Sequence, residues 1–217
     1  MTSRPEATAQ AATDPAALLS IAAAAIAHGL ERGEPPPLRL SEYPDALQQP
    51  GASFVTLSHG EQLRGCIGSL APHRALAQDL SANAYAAAFR DPRFPPLAGT
   101  EVDWLELEIA VLNPLEALPC ESRHELIARL TPQIDGLVLE AGTGRRATFL
   151  PKVWEALPEP EDFLRELWRK AGLAPGYWSA SLRFARYTTR VVRGSYLDAR
   201  VELQRRPGPV GQRSGNP

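Results

Sequence analysis

Twenty-one prolines in 217 residues set the scale of everything this chain can build. Each one fixes φ and removes a backbone donor, so long helices and broad uninterrupted strands are confined to the few stretches between them. Glu61-Gln62-Leu63-Arg64-Gly65-Cys66-Ile67-Gly68-Ser69 is one such stretch. Read as a strand, it alternates Leu63 and Ile67 toward one face with Arg64 and Cys66 toward the other. A guanidinium beside a thiol favours the thiolate, and Gly65 and Gly68 leave room for another backbone or a ligand to come close. Cys66 is therefore a candidate nucleophile, with the plainer alternative that it is a small apolar filler.

The length supports one large domain or two small lobes with a proper core. A net charge of −2, with arginines scattered along the chain, gives no basic surface for nucleic acid. Cys66 and Cys120 stand 54 positions apart with no Cys-x-x-Cys pair, so the sequence signals neither a disulfide framework nor a zinc site, and a reducing cytoplasm fits best. The longest apolar run near the start, Ile21 to Ala27, is too short for a bilayer, and no export leader is read. No cofactor and no metal are expected.

Residues 1–13 read as a disordered leader, 14–200 as the folded domain and 201–217 as a disordered tail. Asp14-Pro15 starts a helix that runs on Leu18, Ala22, Ile26 and Leu30 to Gly33. Phe54 to Ser58 and Gln62 to Ile67 form a hairpin about His59-Gly60. A helix follows from Pro72 to about Phe89, with Asn83 the odd polar member of its apolar stripe. Its start, close to Cys66, is read as a place where an anion would rest among Arg64, Gly68 and Ser69, although Gly-x-x-Gly alone is a weak phosphate signal. His59 and His73 flank Cys66 at seven residues on either side but read as solvated turn residues.

The segment Arg90-Asp91-Pro92-Arg93-Phe94-Pro95-Pro96-Leu97 is a proline-pinned loop that holds Asp91, Arg93 and Phe94 with little freedom, either as an ion pair and a core plug or as the rim of a substrate site. From Trp104 to Leu112 the chain alternates, placing Glu106 and Glu108 on one sheet face as candidate proton-transfer groups or solvated charges. Ser122 to Glu125 caps a short helix, and Gly142-Thr143-Gly144-Arg145 turns a second hairpin, a context that excludes a dinucleotide fingerprint. Helix 160 to 171 and a long strand from Leu182 to Val192 complete the domain.

Leu63-Arg64-Gly65-Cys66-Ile67-Gly68, the Arg90 to Leu97 loop, the strand from Leu105 to Leu112 and Thr148-Phe149-Leu150-Pro151 stand in the order typical of AMMECR-domain proteins, and the chain resembles that family from Asp14 to Val192. The resemblance implies an α+β fold, a mainly antiparallel sheet with packed helices and two unequal lobes, with a cleft near the hexapeptide. It also implies a place in the set named AmmeMemoRadiSam, beside a MEMO-like protein and a radical SAM enzyme. Two readings follow. In one, Cys66 is a reactive cysteine activated by Arg64, Glu106 or Glu108 moves the proton, and Arg64, Gly65, Gly68, Asp91, Arg93 and Phe94 bind a small molecule. In the other, the same surface docks those partner proteins without catalysis.

Overall fold

The computed structural model describes residues 13–142 and 144–205. Within them the chain divides into two compact units of unequal size, residues 13–112 with 190–205, and residues 113–189. Each has its own four-stranded antiparallel sheet, giving an α+β fold.

In the first unit, helix α1 (Pro15–Arg32) begins where Asp14 accepts from the Ala16 N–H at 3.0 Å and ends at Gly33. The short α2 (Asp45–Gln48) leads to strand β1 (Ser53–His59), which turns through Gly60 into β2 (Gln62–Gly68). Helix α3 (Leu76–Phe89), a 3-10 turn (Gly99–Trp104) and strand β3 (Glu106–Leu112) follow. The sheet is completed much later by β8 (Thr189–Ser195), in the order β2-β1-β3-β8, and helix α6 (Tyr196–Arg205) comes after it.

One sheet face is all aliphatic. Val55, Leu57, Leu107, Ile109 and Val111 are buried there against Leu18, Ile26, Leu76 and Leu80 of the helices. Alanines on α1 and α3 keep the helices close to one another and to the sheet. Gly65 marks the tightest approach: a Cβ there would sit 2.1 Å from the Ala87 carbonyl oxygen, so α3 lies directly on β2 only because that position has no side chain.

The second unit contains β4 (Glu116–Ala117), α4 (Arg123–Arg129), β5 (Gly136–Glu140), β6 (Arg146–Phe149), a 3-10 turn (Pro151–Glu155), α5 (Pro160–Lys170) and β7 (Arg183–Tyr187), with sheet order β4-β7-β5-β6. Its core adds ring clusters to a leucine framework: Trp154 stacks on Phe163 at 3.8 Å between ring centroids with Phe149 edge-on to Phe163 at 5.3 Å, and Trp168, Trp178 and Phe184 form a second cluster. The Ser122 N-cap forms, its Oγ accepting from the Glu125 N–H at 3.1 Å, but the Glu125 side chain accepts from the Glu121 N–H at 2.9 Å, so the capping box is closed one residue early.

Four expectations are corrected. The helix after the hexapeptide begins at Leu76, not Pro72, because Pro72 to Ala75 form a turn that is tied by an isolated bridge between Pro50 and Ala75. The single long strand is two, β7 and β8, which belong to different sheets and are separated by Thr188 alone. Helix α6 extends to Arg205, into the segment read as a disordered tail. Thr13 is buried, although it was assigned to the leader. Residues 1–12 and 206–217, and Thr143 of the second hairpin, lie outside the described residues.

Candidate functional site

Strand β2 is an edge strand, so one row of its backbone N–H and C=O groups has no neighbouring strand. The 90–97 loop supplies those partners around Cys66. Its N–H donates to Asp91 Oδ2 at 2.9 Å, and its carbonyl accepts from Arg93 Nη2 at 3.2 Å. Asp91 and Arg93 are themselves locked together, Nη2 to Oδ2 at 2.6 Å and Nε to Oδ1 at 2.9 Å. The Arg93 guanidinium, then the Cys66 and Arg93 N–H groups, hold the Asp91 carboxyl well below the usual carboxylate range against the opposing effect of burial.

The register between β1 and β2 slips by one residue: Leu57 faces Gly65 and Ser58 faces Leu63, which leaves Arg64 as an extra residue. This bulge breaks the alternation that would set Arg64 beside Cys66. The Arg64 side chain is buried and turned to another partner, donating from Nε to Glu101 Oε1 at 2.7 Å, and from Nη2 to Glu101 Oε2 at 3.1 Å and to the Pro95 carbonyl at 3.0 Å. Arg64 is the first cause of a Glu101 pKa lowered to about 2. Its Nη1 is buried without a hydrogen-bond partner among the described residues. Phe94 serves both guanidinium groups, its centroid 5.9 Å from Arg64 and 5.5 Å from Arg93, and is not part of the hydrophobic core. The cation next to Cys66 is therefore Arg93, in place of Arg64.

The face of the sheet opposite the aliphatic core carries Cys66. Cross-strand pairing places Cys66 opposite Thr56 and Thr56 opposite Glu108, while Ser58 stands opposite Glu106. The Thr56 hydroxyl donates to Cys66 Sγ at 3.3 Å, and Arg193 of β8 donates to Glu108 Oε2 at 2.7 Å. A polar row thus crosses all four strands: Cys66, Thr56, Glu108, Arg193. Thr56 is 9% exposed and the Glu108 side chain 15%, whereas Glu106 is open to solvent. Cys66 itself is half-buried. Beside it, Gly68 leaves the space in which the Phe54 ring lies, since a Cβ there would come within 2.2 Å of that ring.

The anion expected between the hexapeptide and the next helix is supplied by the chain itself. Asp79, in the first turn of α3 and fully buried, accepts from the Ser53 N–H (2.8 Å), Ser53 Oγ (2.8 Å), Ser69 Oγ (2.7 Å), Arg74 Nε (3.1 Å) and Asn83 Nδ2 (2.9 Å). This explains Asn83 on the apolar stripe, where it also donates to the Ser53 carbonyl at 2.9 Å. His59 Nε2 lies 3.1 Å from the Glu101 carbonyl and His73 Nδ1 2.8 Å from the Ala71 carbonyl. Thr56, Asp79, Glu101 and Arg193 carried no sequence signal beyond their polarity. Among the described residues no three His, Cys, Asp or Glu side chains are grouped to hold a metal ion, and no helix is long and apolar enough to cross a membrane.

The two α+β units, with the hexapeptide on an edge strand strapped by its own loop, define the class of fold to which this chain conforms. The chain belongs to the AMMECR1 family, whose match spans residues 19–192. A protein of Methanothermobacter thermautotrophicus is 37% identical over 161 residues, covering 71% of this chain and 81% of its own length. One from Saccharolobus islandicus is 33% identical over 180 residues, 80% and 79% of the two chains. A crystal structure of an uncharacterized protein from Pyrococcus horikoshii superposes with a TM-score of 0.75 at 31% identity, over 82% of this chain and 90% of that one.

Proposed function

We propose that the chain carries an enzyme-like, thiol-centred site on the open face of its first sheet, with Cys66 as nucleophile or thiol donor. The observation that carries this reading is the Thr56 hydroxyl donating to Cys66 Sγ at 3.3 Å, a contact that holds the sulfur in place on the open sheet face. Arg93 takes the part first given to Arg64, that of the neighbouring cation. Glu108, the cross-strand neighbour of Thr56, is better sited for proton transfer than the exposed Glu106. Gly65 and Gly68 give the strand its close packing, and Asp91 fixes Arg93 in place. The substrate is a small molecule, and the site acts in a cytoplasmic pathway with a MEMO-like protein and a radical SAM enzyme.

Labelling tests it directly. At neutral pH, iodoacetamide should modify Cys66 at least about tenfold faster than Cys120, whose pKa is raised first by burial. Equal rates would overturn the proposal.

A second reading rests on the solvent-facing half of the same region. The Arg93 side chain is 53% exposed and Trp104 is 78% exposed, and arginine and tryptophan are the residues that most often anchor interfaces. If the site is a docking surface for those two proteins, Arg93→Ala abolishes their capture by the purified chain while Cys66→Ser leaves it intact. If it is a thiol site, Cys66→Ser abolishes the pathway output that the docking reading leaves intact.

A further inference from the structure

The second unit contains a hollow of about 550 Å³, a size typical of small-molecule pockets. One wall is the chain from Leu118 to Glu121 after β4, including Cys120. The other is the run from Trp178 to Phe184 that enters β7. None of this belongs to the Cys66 site.

The floor is aromatic and its planes agree. Trp178 and Phe184 lie 5.5 Å apart with 24° between their rings, and Trp168 stacks on both, at 6.4 Å and 16° from Trp178 and at 5.7 Å and 28° from Phe184. Trp168 and Phe184 are buried, but Trp178 is half-exposed, so the cluster ends in a ring that water still reaches.

The walls are braced by their own hydrogen bonds. Trp168 Nε1 donates to the Tyr177 carbonyl at 2.6 Å, immediately before Trp178. Arg183 Nη1 donates to the Ala180 and Leu182 carbonyls at 2.7 and 2.9 Å, and the Ser181 N–H donates to Ser179 Oγ at 3.2 Å, which fixes the loop. The Cys120 thiol donates to the Leu118 carbonyl at 3.4 Å, and burial keeps it protonated at neutral pH. It therefore lines the hollow as a soft, uncharged edge, of the sort sulfur offers to a ring.

We propose that this hollow binds a small planar aromatic or heteroaromatic molecule, which lies against Trp178 and Phe184 with the Cys120 sulfur at its edge. Near-parallel rings at stacking distance favour a guest that extends the stack, and a saturated guest of equal size gains only the burial. Preformed walls remove most of the ordering that binding would otherwise require.

The test uses the full chain and two matched probes, 2-naphthol and its saturated counterpart decahydro-2-naphthol, with binding followed by calorimetry. 2-Naphthol should bind about tenfold more tightly than the saturated compound, Trp178→Leu should remove that preference, and Trp178→Phe should keep most of it. In the wild-type chain 2-naphthol should also slow maleimide modification of Cys120 and leave that of Cys66 unchanged. Equal affinity for the two probes, no saturable binding of either, or no protection of Cys120 each overturn the assignment. Should Trp178→Leu fail to fold, the two wild-type measurements decide alone.

Discussion

The two thiols of this chain sit in opposite kinds of surroundings. Cys66 lies on a sheet edge among hydroxyl, carboxylate and guanidinium groups that are already bonded to one another, and its own backbone is held by Asp91 and Arg93. Cys120 lies beside an aromatic cluster, with a backbone carbonyl as its acceptor. The first unit has spent its polar residues on fixing an edge strand and a helix start, while the second has stacked rings beside a hollow. Where polar groups are used to set backbone position, removing one of them should disturb the whole unit. Where rings are stacked, a single truncation should act locally.

The largest effect expected from that contrast is at Asp79. Asp79→Ala strands the Ser53, Ser69, Arg74 and Asn83 donors, and urea unfolding should show a loss of about 4 kcal/mol. A loss under about 1 kcal/mol would show that the first unit is not built on this carboxylate. Gly65→Ala should come next, at about 2–3 kcal/mol, because the new methyl meets the Ala87 carbonyl of α3 and backbone yields poorly. Gly144→Ala is its counterpart in the second unit: the residue has positive φ but open space around it, so only the smaller backbone penalty of about 1 kcal/mol should appear.

Acid should separate the units further. Glu101 has its pKa lowered from 4.5 to about 2, so its pairing with Arg64 contributes fully above pH 4.5 and is lost as pH falls through 2. Allowing for its partial exposure, the wild-type chain should lose roughly 2 kcal/mol more than Glu101→Gln across that interval, measured as urea midpoints against pH. Parallel curves for the two chains would remove Glu101 from the account. The smallest effect is expected at Thr56→Val, which should slow alkylation of Cys66 by about threefold and leave Cys120 unchanged.

What the sequence made legible follows from how local each signal is. Helix α1 was readable because Asp14, Pro15 and Gly33 act within a turn of their own positions, and β3 because one face of Leu105 to Val111 had to be buried. Pro72 misled because a proline suited to a helix start also suits the turn before one. Thr188 gave no warning that β7 and β8 part company, since threonine is at home in a strand. The hexapeptide stood out in the sequence, but the bulge at Arg64 depends on how β2 meets Leu57 and Ser58 on another strand. For the same reason Glu101, 37 residues away, could not be named as its partner.

The place of β8 in the chain bears on how the protein comes off the ribosome. Residues 113–189 contain every strand of the β4-β7-β5-β6 sheet and can complete it while the first sheet still lacks its last member. Until 190–195 have emerged, β3 presents an open edge of unpaired backbone N–H and C=O groups, the kind of surface on which nascent chains stick to one another. Slow translation or premature termination just after Thr189 therefore exposes this chain to aggregation at a defined point in its synthesis.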